Sequence, residues 1–248
     1  MSFVFYDTET TGINTSFDQI LQFAAIRTDA DLNEIERFEI RSRILPGMLA
    51  SPHALVVTGV RATQLVDPEF PSHYEMMRQI QEKLMSWSPA LFIGYNSIEF
   101  DEHLLRHSLY KTLHPPYLTN TNGNSRSDVM RMVQATHLFC PDVINIPRSA
   151  NGRFTFKLDQ VAPANGFDHT NAHDALAELD RGNAPVQFVF GKFAQDRAGE
   201  NGLVARRRDL LIRRQAVRID VARLRHAEPF RGLVHVVGEF LDRAGDAF

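Results

Sequence analysis

The sequence predicts an α/β domain built on a mixed sheet, and three observations carry that prediction. The chain opens with Phe3-Val-Phe-Tyr, an apolar run of strand-forming residues that passes directly into Asp7-Thr-Glu9. Residues 20–28 and 33–44 read as two further strands joined by the polar turn at 29–33, which suggests a hairpin. Beyond residue 71, segments of helical period alternate with a short apolar run of strand length. Strands, a hairpin and then strand-helix units imply a sheet with both antiparallel and parallel pairs.

The elements follow in order. Residues 20–28, Ile-Leu-Gln-Phe-Ala-Ala-Ile-Arg-Thr, form a largely apolar strand. The next strand alternates, with Ile35, Phe38, Ile40 and Ile44 expected on or near one face and charges on the other. Residues 46–71 are a connector of loops and short helix. Pro71-Ser72 starts a helix over 73–86, with Tyr74, Met77, Ile80, Leu84 and Met85 at helical spacing. Leu91-Phe-Ile-Gly-Tyr-Asn96 is a buried strand, and a helix over 100–112 follows, stopped by Pro115-Pro116. Residues 119–125 are polar loop, 128–139 helix, 147–153 loop and 158–164 a short helix ended by Gly166. Thr170 or Asn171 caps a last helix over 172–180, which Gly182 and Pro185 end.

At 248 residues the chain has room for one large domain with a smaller appendage. No apolar run approaches the ~20 residues of a membrane span, and no basic, apolar leader opens the chain. The single cysteine, Cys140, cannot form an internal disulfide, so a reducing cytoplasm is the expected compartment. A net charge of −3 does not advertise a nucleic-acid binder, but a nuclease that neutralises its acids with cations needs only local basic patches. Charge is unevenly spread: residues 1–178 hold 14 Lys+Arg against 21 Asp+Glu, while 179–248 hold 13 against 9, and 12 of those 13 are arginine. This shift marks a boundary near residue 180.

Three acidic features point to chemistry. Asp7 and Glu9 stand two apart on a strand and therefore share a face, where two carboxylates repel unless a cation compensates. Thr10, Thr11 and Gly12 follow as a small polar turn that a ligand can approach closely. Asp101 lies where a strand passes into a helix, after Asn96 and Phe100, so its carboxylate can aim back over the end of the sheet. Asp174 lies near the start of the last helix, with His169 five residues earlier on the preceding loop. Each has an ordinary alternative, respectively solvated loop acids, a helix N-cap and a first-turn acid with a surface histidine. Together, four acids and one histidine make a two-metal phosphodiester site, in which two Mg²⁺ ions ~3.5–4 Å apart, or Mn²⁺ in their place, would activate water and stabilise the leaving oxygen. A histidine of near-neutral pKa suits the proton transfer.

Asp7-Thr-Glu9-Thr-Thr-Gly12, Asn96-x-x-x-Phe100-Asp101 and His169-x-x-x-x-Asp174 resemble the three motifs of the DEDD exonucleases of the histidine subtype. Within that superfamily the wording is most similar to the exonuclease I family, through Gln22-Phe-Ala-Ala-Ile-Arg-Thr-Asp29, Thr58-Gly59, Gly94-Tyr-Asn96, Asp128-Val-Met-Arg131 and Ala164-Asn-Gly166. The resemblance covers about residues 3–178. It implies an RNase H-like mixed five-stranded sheet flanked by helices, with Asp7, Glu9, Asp101 and Asp174 as metal ligands and His169, rather than His173, as general base. It further implies 3′→5′ release of 5′-mononucleotides from single-stranded DNA, in repair or recombination, with a single-strand-binding protein as partner; the sequence leaves the oligomeric state open, with a monomer favoured. Thr10, Thr11 and Phe100 would meet the terminal nucleotide, Asn96 would bind substrate while fixing its loop through side-chain hydrogen bonds, and Arg126, Arg131, Arg148 and Lys157 are candidates for phosphate contacts.

Two departures stand out. Between Ser125 and Val129 about three residues fewer are present than the family carries, which is expected to shorten or remove a strand. After about Glu178 the family wording stops. Residues 179–248 then read as a diverged, truncated or frame-shifted arginine-rich tail, with Leu233-Val-His-Val-Val a weak echo of the family's second domain. Two other functions stay open: another exonuclease of the same superfamily, acting in proofreading or on short RNA, and an inactive remnant that only binds nucleic acid.

Overall fold

The computed structural model describes residues 2–30, 32–139, 141 and 144–166. The described residues divide into two units, 2–129 with 166, and 130–165. The first unit holds a five-stranded sheet of order β3-β2-β1-β4-β5. Its strands are β1 (Ser2–Thr10), β2 (Ile20–Thr28), β3 (Glu34–Arg41), β4 (Ala90–Gly94) and β5 (Ser125–Asp128). β1 pairs antiparallel with β2, and β2 with β3, so the predicted hairpin is present. β4 runs parallel to both β1 and β5. The sheet is mixed and five-stranded, as the resemblance implied.

Position in the sheet explains composition. β2 and β4 are buried almost throughout and are nearly continuous apolar runs, because both faces are covered. β3 lies at the edge and carries charge: Arg37 pairs with Glu34, Arg41 with Glu39, and Glu36 takes hydrogen bonds from Lys83 and the Trp87 indole. Charge on an edge strand discourages pairing with another chain. The expected apolar face of β3 holds for Phe38 and Ile40, which pack on the core. It fails for Ile35, which is exposed, since odd and even positions of a strand cannot share a face.

The connector folds into two short helices, α1 (Pro52–Thr58) and α2 (Ala62–Leu65), with Gly59 ending α1 in the left-handed region at φ 67°. Helix α3 (His73–Ser86) matches its predicted bounds, and its Ser72 cap accepts from the Glu75 N–H at 3.2 Å. Its buried face is His73, Met76, Met77, Ile80 and Leu84, whereas Tyr74 and Met85 are exposed. The apolar stripe therefore sits one position round from the expected one, and His73 and Met76 fill the core in their stead.

Helix α4 (Asp101–Lys111) follows β4, and a 3-10 turn, Leu118–Asn120, interrupts the stretch expected to be loop. The strand expected to be shortened or lost near residue 127 is retained as β5, four residues long, in register with Leu91–Gly94 of β4. β5 passes directly into α5 (Val129–Phe139), and α6 (Leu158–Ala164) lies in the second unit. The core beneath the sheet gathers Val4, Tyr6, Phe23 and Phe92 with Met76, Ile80, Leu84, Trp87, Leu104, Leu105 and Leu109. No helix among the described residues is long and apolar enough to cross a membrane.

Candidate active site

β1 delivers the first two acids. Its apolar first half buries Val4, Phe5 and Tyr6, which anchors the strand at the centre of the sheet. Asp7 and Glu9 then alternate onto one face, half-buried, while Tyr6, Thr8 and Thr10 alternate onto the other. Asp101 is the first residue of α4; the N-cap position belongs to Phe100, so the capping alternative does not describe it. Asp101 is buried at 5 % exposure, and its Oδ1 accepts from Thr8 Oγ1 at 2.5 Å. The helix-opening acid is thus joined to β1 through the face opposite Asp7 and Glu9. Among the described residues no three His, Cys, Asp or Glu side chains gather as a metal cluster. Asp174 and His169, with His173 and the helix expected over 172–180, lie outside the described residues, as does Cys140.

The backbone around Asp101 is held from below. Gly94 ends β4 where a Cβ would come within 2.5 Å of Ser97 Cβ and 2.9 Å of the Tyr6 carbonyl, so only glycine fits. Asn96 adopts a left-handed φ of 59°, which asparagine tolerates. Its hydrogen bond to Asp128 runs through the backbone: the N–H groups of Asn96 and Ile98 donate to the Asp128 carboxylate at 2.9 and 3.2 Å. The expected side-chain role for Asn96 gives way to this backbone one. Asp128, 1 % exposed, closes the loop from the end of β5.

The neighbour of Asp101, Glu102, was missed by sequence reasoning. It is 2 % exposed, and four donors converge on it. Oε2 accepts from the Tyr6 hydroxyl at 3.1 Å, and Oε1 from Thr119 Oγ1 at 2.6 Å, Arg126 Nη1 at 3.0 Å and Arg106 Nη2 at 3.2 Å. A carboxylate so deeply buried stays tolerable because each oxygen is bonded and two guanidinium groups oppose its charge. Burial, and then the negative charges of Glu102 and Asp101, push the Tyr6 phenol well above its ordinary pKa, so it remains a donor. The tandem acid at a helix start was the only trace of Glu102 in the sequence, and nothing local distinguishes it from a first-turn acid.

The remaining candidates are placed as follows. Thr10 and Thr11 are buried, and their hydroxyls donate to the Gly12 carbonyl and to Asp18 Oδ1, both at 2.7 Å. The backbone of the turn is engaged as well: the Thr11 N–H donates to the Gln19 carbonyl at 2.9 Å, and the Thr11 carbonyl accepts from the Ser51 N–H at 2.7 Å. Phe100 is half-buried against the core. Arg126 directs its guanidinium to Glu102, which makes it part of the site's support. In the second unit Lys157 is exposed at the N-cap of α6, and Arg148 stacks on Phe154 with its guanidinium carbon 3.9 Å from the ring centroid.

The family model described as Exonuclease (RNase T) matches residues 4–179. The chain belongs to this family. Exodeoxyribonuclease I of Haemophilus influenzae is 35% identical over 185 residues, covering 72% of this chain and 38% of the relative. Exodeoxyribonuclease I of Escherichia coli K12 is 30% identical over 241 residues, covering 96% of this chain and 48% of the relative. The chain thus spans less than half the length of these curated relatives. The crystal structure of E. coli exonuclease I in complex with a dT13 oligonucleotide superposes with a TM-score of 0.73 at 29% identity, over 78% of this chain and 42% of that one. The fold is accordingly that of exonuclease I, RNase H-like. Two further structures of similar likeness are a zinc-bound E. coli ExoI–single-stranded DNA complex, with a TM-score of 0.70 at 30% identity over 76% of this chain and 40% of that one, and an ExoI/SSB-Ct complex, with 0.71 at 28% over 78% and 42%.

Proposed function

We propose that this chain carries the catalytic part of a divalent-metal-dependent 3′→5′ exonuclease acting on single-stranded DNA. The observation that supports it most is the pair Asp7 and Glu9 on one face of the central strand, in a chain of the exonuclease family. The donor set fits a hard cation: it is made of carboxylate oxygens, and two of the acids repel each other unless positive charge lies beside them. Asp7, Glu9, Asp101 and Asp174 would hold two ions, Mg²⁺ by preference and Mn²⁺ as a substitute. Bound there, the ions would supply an activated water and charge stabilisation of the leaving oxygen. His169 accepts the proton of the attacking water. Thr10, Thr11 and the ring of Phe100 would meet the terminal nucleotide.

We further infer that residues 179–248 are a diverged continuation of the chain. The E. coli alignment over 241 residues takes in most of that segment, and this supports divergence over a shifted frame. A single-strand-binding protein is proposed as a partner because a neighbour of this fold forms an ExoI/SSB-Ct complex.

The test is digestion of 5′-labelled single-stranded DNA and RNA of one sequence, with Mg²⁺ or with EDTA. Stepwise shortening of the DNA, abolished by EDTA and by Asp7→Ala, is expected. Shortening of the RNA alone would replace DNA with RNA as the substrate, and a metal-independent reaction would reject the two-metal reading. His169→Ala is expected to lower the rate far more than His173→Ala, and the reverse order would move the base to His173.

A further inference from the structure

We propose that Glu102 is a positioning residue for metal binding: its buried carboxylate locks the first turn of α4, and with it Asp101, against the strand that carries Asp7 and Glu9. The inference rests on the metal reading above and extends it to a residue with no metal-binding role of its own.

The geometry is specific to that task. Glu102 follows Asp101 directly, and Tyr6 precedes Asp7 directly. The Tyr6 hydroxyl and Glu102 Oε2, 3.1 Å apart, therefore join the two ligand-bearing elements one residue away from each ligand. The other oxygen extends the clamp to Thr119 in the 3-10 turn and to Arg126 on β5, with Arg106 one turn along α4 closing it. Glu102 also anchors its own backbone, since its N–H donates to the Ser97 carbonyl at 2.8 Å, in the loop that Asp128 holds. Thr8 Oγ1 acts on Asp101 itself from β1. Two carboxylates on β1 and one on α4 attract a cation in proportion to how little they must move to meet it. Groups that orient ligands from behind typically matter by 10–100-fold in metal affinity. The arginines matter as well, because without them a second acid beside Asp101 would add repulsion.

The experiment titrates Mn²⁺ into the full 248-residue chain, followed by electron paramagnetic resonance of free ion, together with thermal unfolding of the same samples without metal. The variants are Asp7→Ala, Glu102→Gln and Tyr6→Phe. Glu102→Gln keeps the shape and one accepting oxygen but loses the charge. Tyr6→Phe removes a single hydroxyl and leaves Glu102 with its three other donors, so it keeps the test decisive should the glutamine variant not fold. The parent is expected to bind Mn²⁺ and Asp7→Ala to lose it. Glu102→Gln should bind roughly tenfold more weakly, and Tyr6→Phe severalfold more weakly, as folded proteins. If both variants melt earlier yet bind Mn²⁺ as the parent does, Glu102 only stabilises the fold and the proposal is overturned while the metal reading stands. If the parent binds no Mn²⁺ that Asp7→Ala removes, the metal reading fails first and the role of Glu102 falls with it.

Discussion

The loop after β1 and the loop after β4 leave the sheet at strand ends that carry the acids, and one carboxylate holds each of them. After β1, Asp18 accepts from Thr11 Oγ1 and the Asn14 N–H, both at 2.7 Å, from within the same loop. After β4, Asp128 accepts from Asn96 and Ile98, but it reaches them from β5, 32 residues beyond Asn96, and is buried. Each loop also has a glycine with no room for a side chain. At Gly12 the obstacle is the Asp18 carboxylate, 2.7 Å from an added Cβ; at Gly94 it is the Tyr6 backbone carbonyl and Ser97. One loop is thus half-exposed and stapled by a carboxylate of its own, although the His107 ring of α4 also meets its Thr15 carbonyl at 2.7 Å, and it presents Ile13 and Phe17 to solvent; the other is stapled by a carboxylate from a distant strand. The difference suits their proposed tasks. Asp101 must keep its place relative to β1, whereas the first loop needs only to border a nucleotide end.

The contrast predicts an order of effects. Asp128→Ala strips two part-buried backbone N–H groups of a charged acceptor and should cost about 3 kcal/mol, against about 1 kcal/mol for Asp18→Ala, because the exposed Asn14 N–H, one of its two donors, can turn to water. Urea-unfolding free energies of the two variants measure this, and equal losses would erase the distinction. Next comes the floor under the first loop. Burial, and then the charge of Lys111, lower His73 to about 4, against the pull of a hydrogen bond to the Ile20 backbone. The unfolded chain takes up this proton near pH 6.5 and the folded protein only near 4, so the stability present above pH 6.5 drains as pH falls toward 4. Between pH 7 and pH 5 the loss should be about 2 kcal/mol greater in the parent than in His73→Gln. Parallel pH profiles for the two proteins would show that His73 takes its proton as easily folded as unfolded. The smallest effect separates the glycines: Gly94→Ala should cost about 2 kcal/mol, because a backbone carbonyl must move, and Gly12→Ala less than about 1 kcal/mol, because a half-exposed carboxylate can swing aside.

Where the chain places its candidate acids Asp7, Glu9 and Asp101 was legible in the order of residues. Asp7 and Glu9 share a face because strand periodicity is two, and Asp101 follows from a short apolar run that breaks at Gly94 and Asn96. The bounds of α3 and α6 were readable from Ser72 and Gly166, since capping and helix termination are local. The first loop belongs to the same class, as its staple lies seven residues from the group it holds.

What the sequence determined by itself was therefore the strand that presents two repelling acids, the helix that opens on a third, and the family wording that joins them to His169 and Asp174. Tertiary structure alone decided that Glu102 and Asp128 hold that arrangement, that Arg126 faces Glu102, that Asp101 meets Thr8, and that β5 persists on four residues. It also decided which side of α3 enters the core. The reason is one of range. A buried carboxylate is tolerable only with donors brought from distant elements, here Tyr6, Thr119 and Arg126 for Glu102, and no local pattern records that they meet.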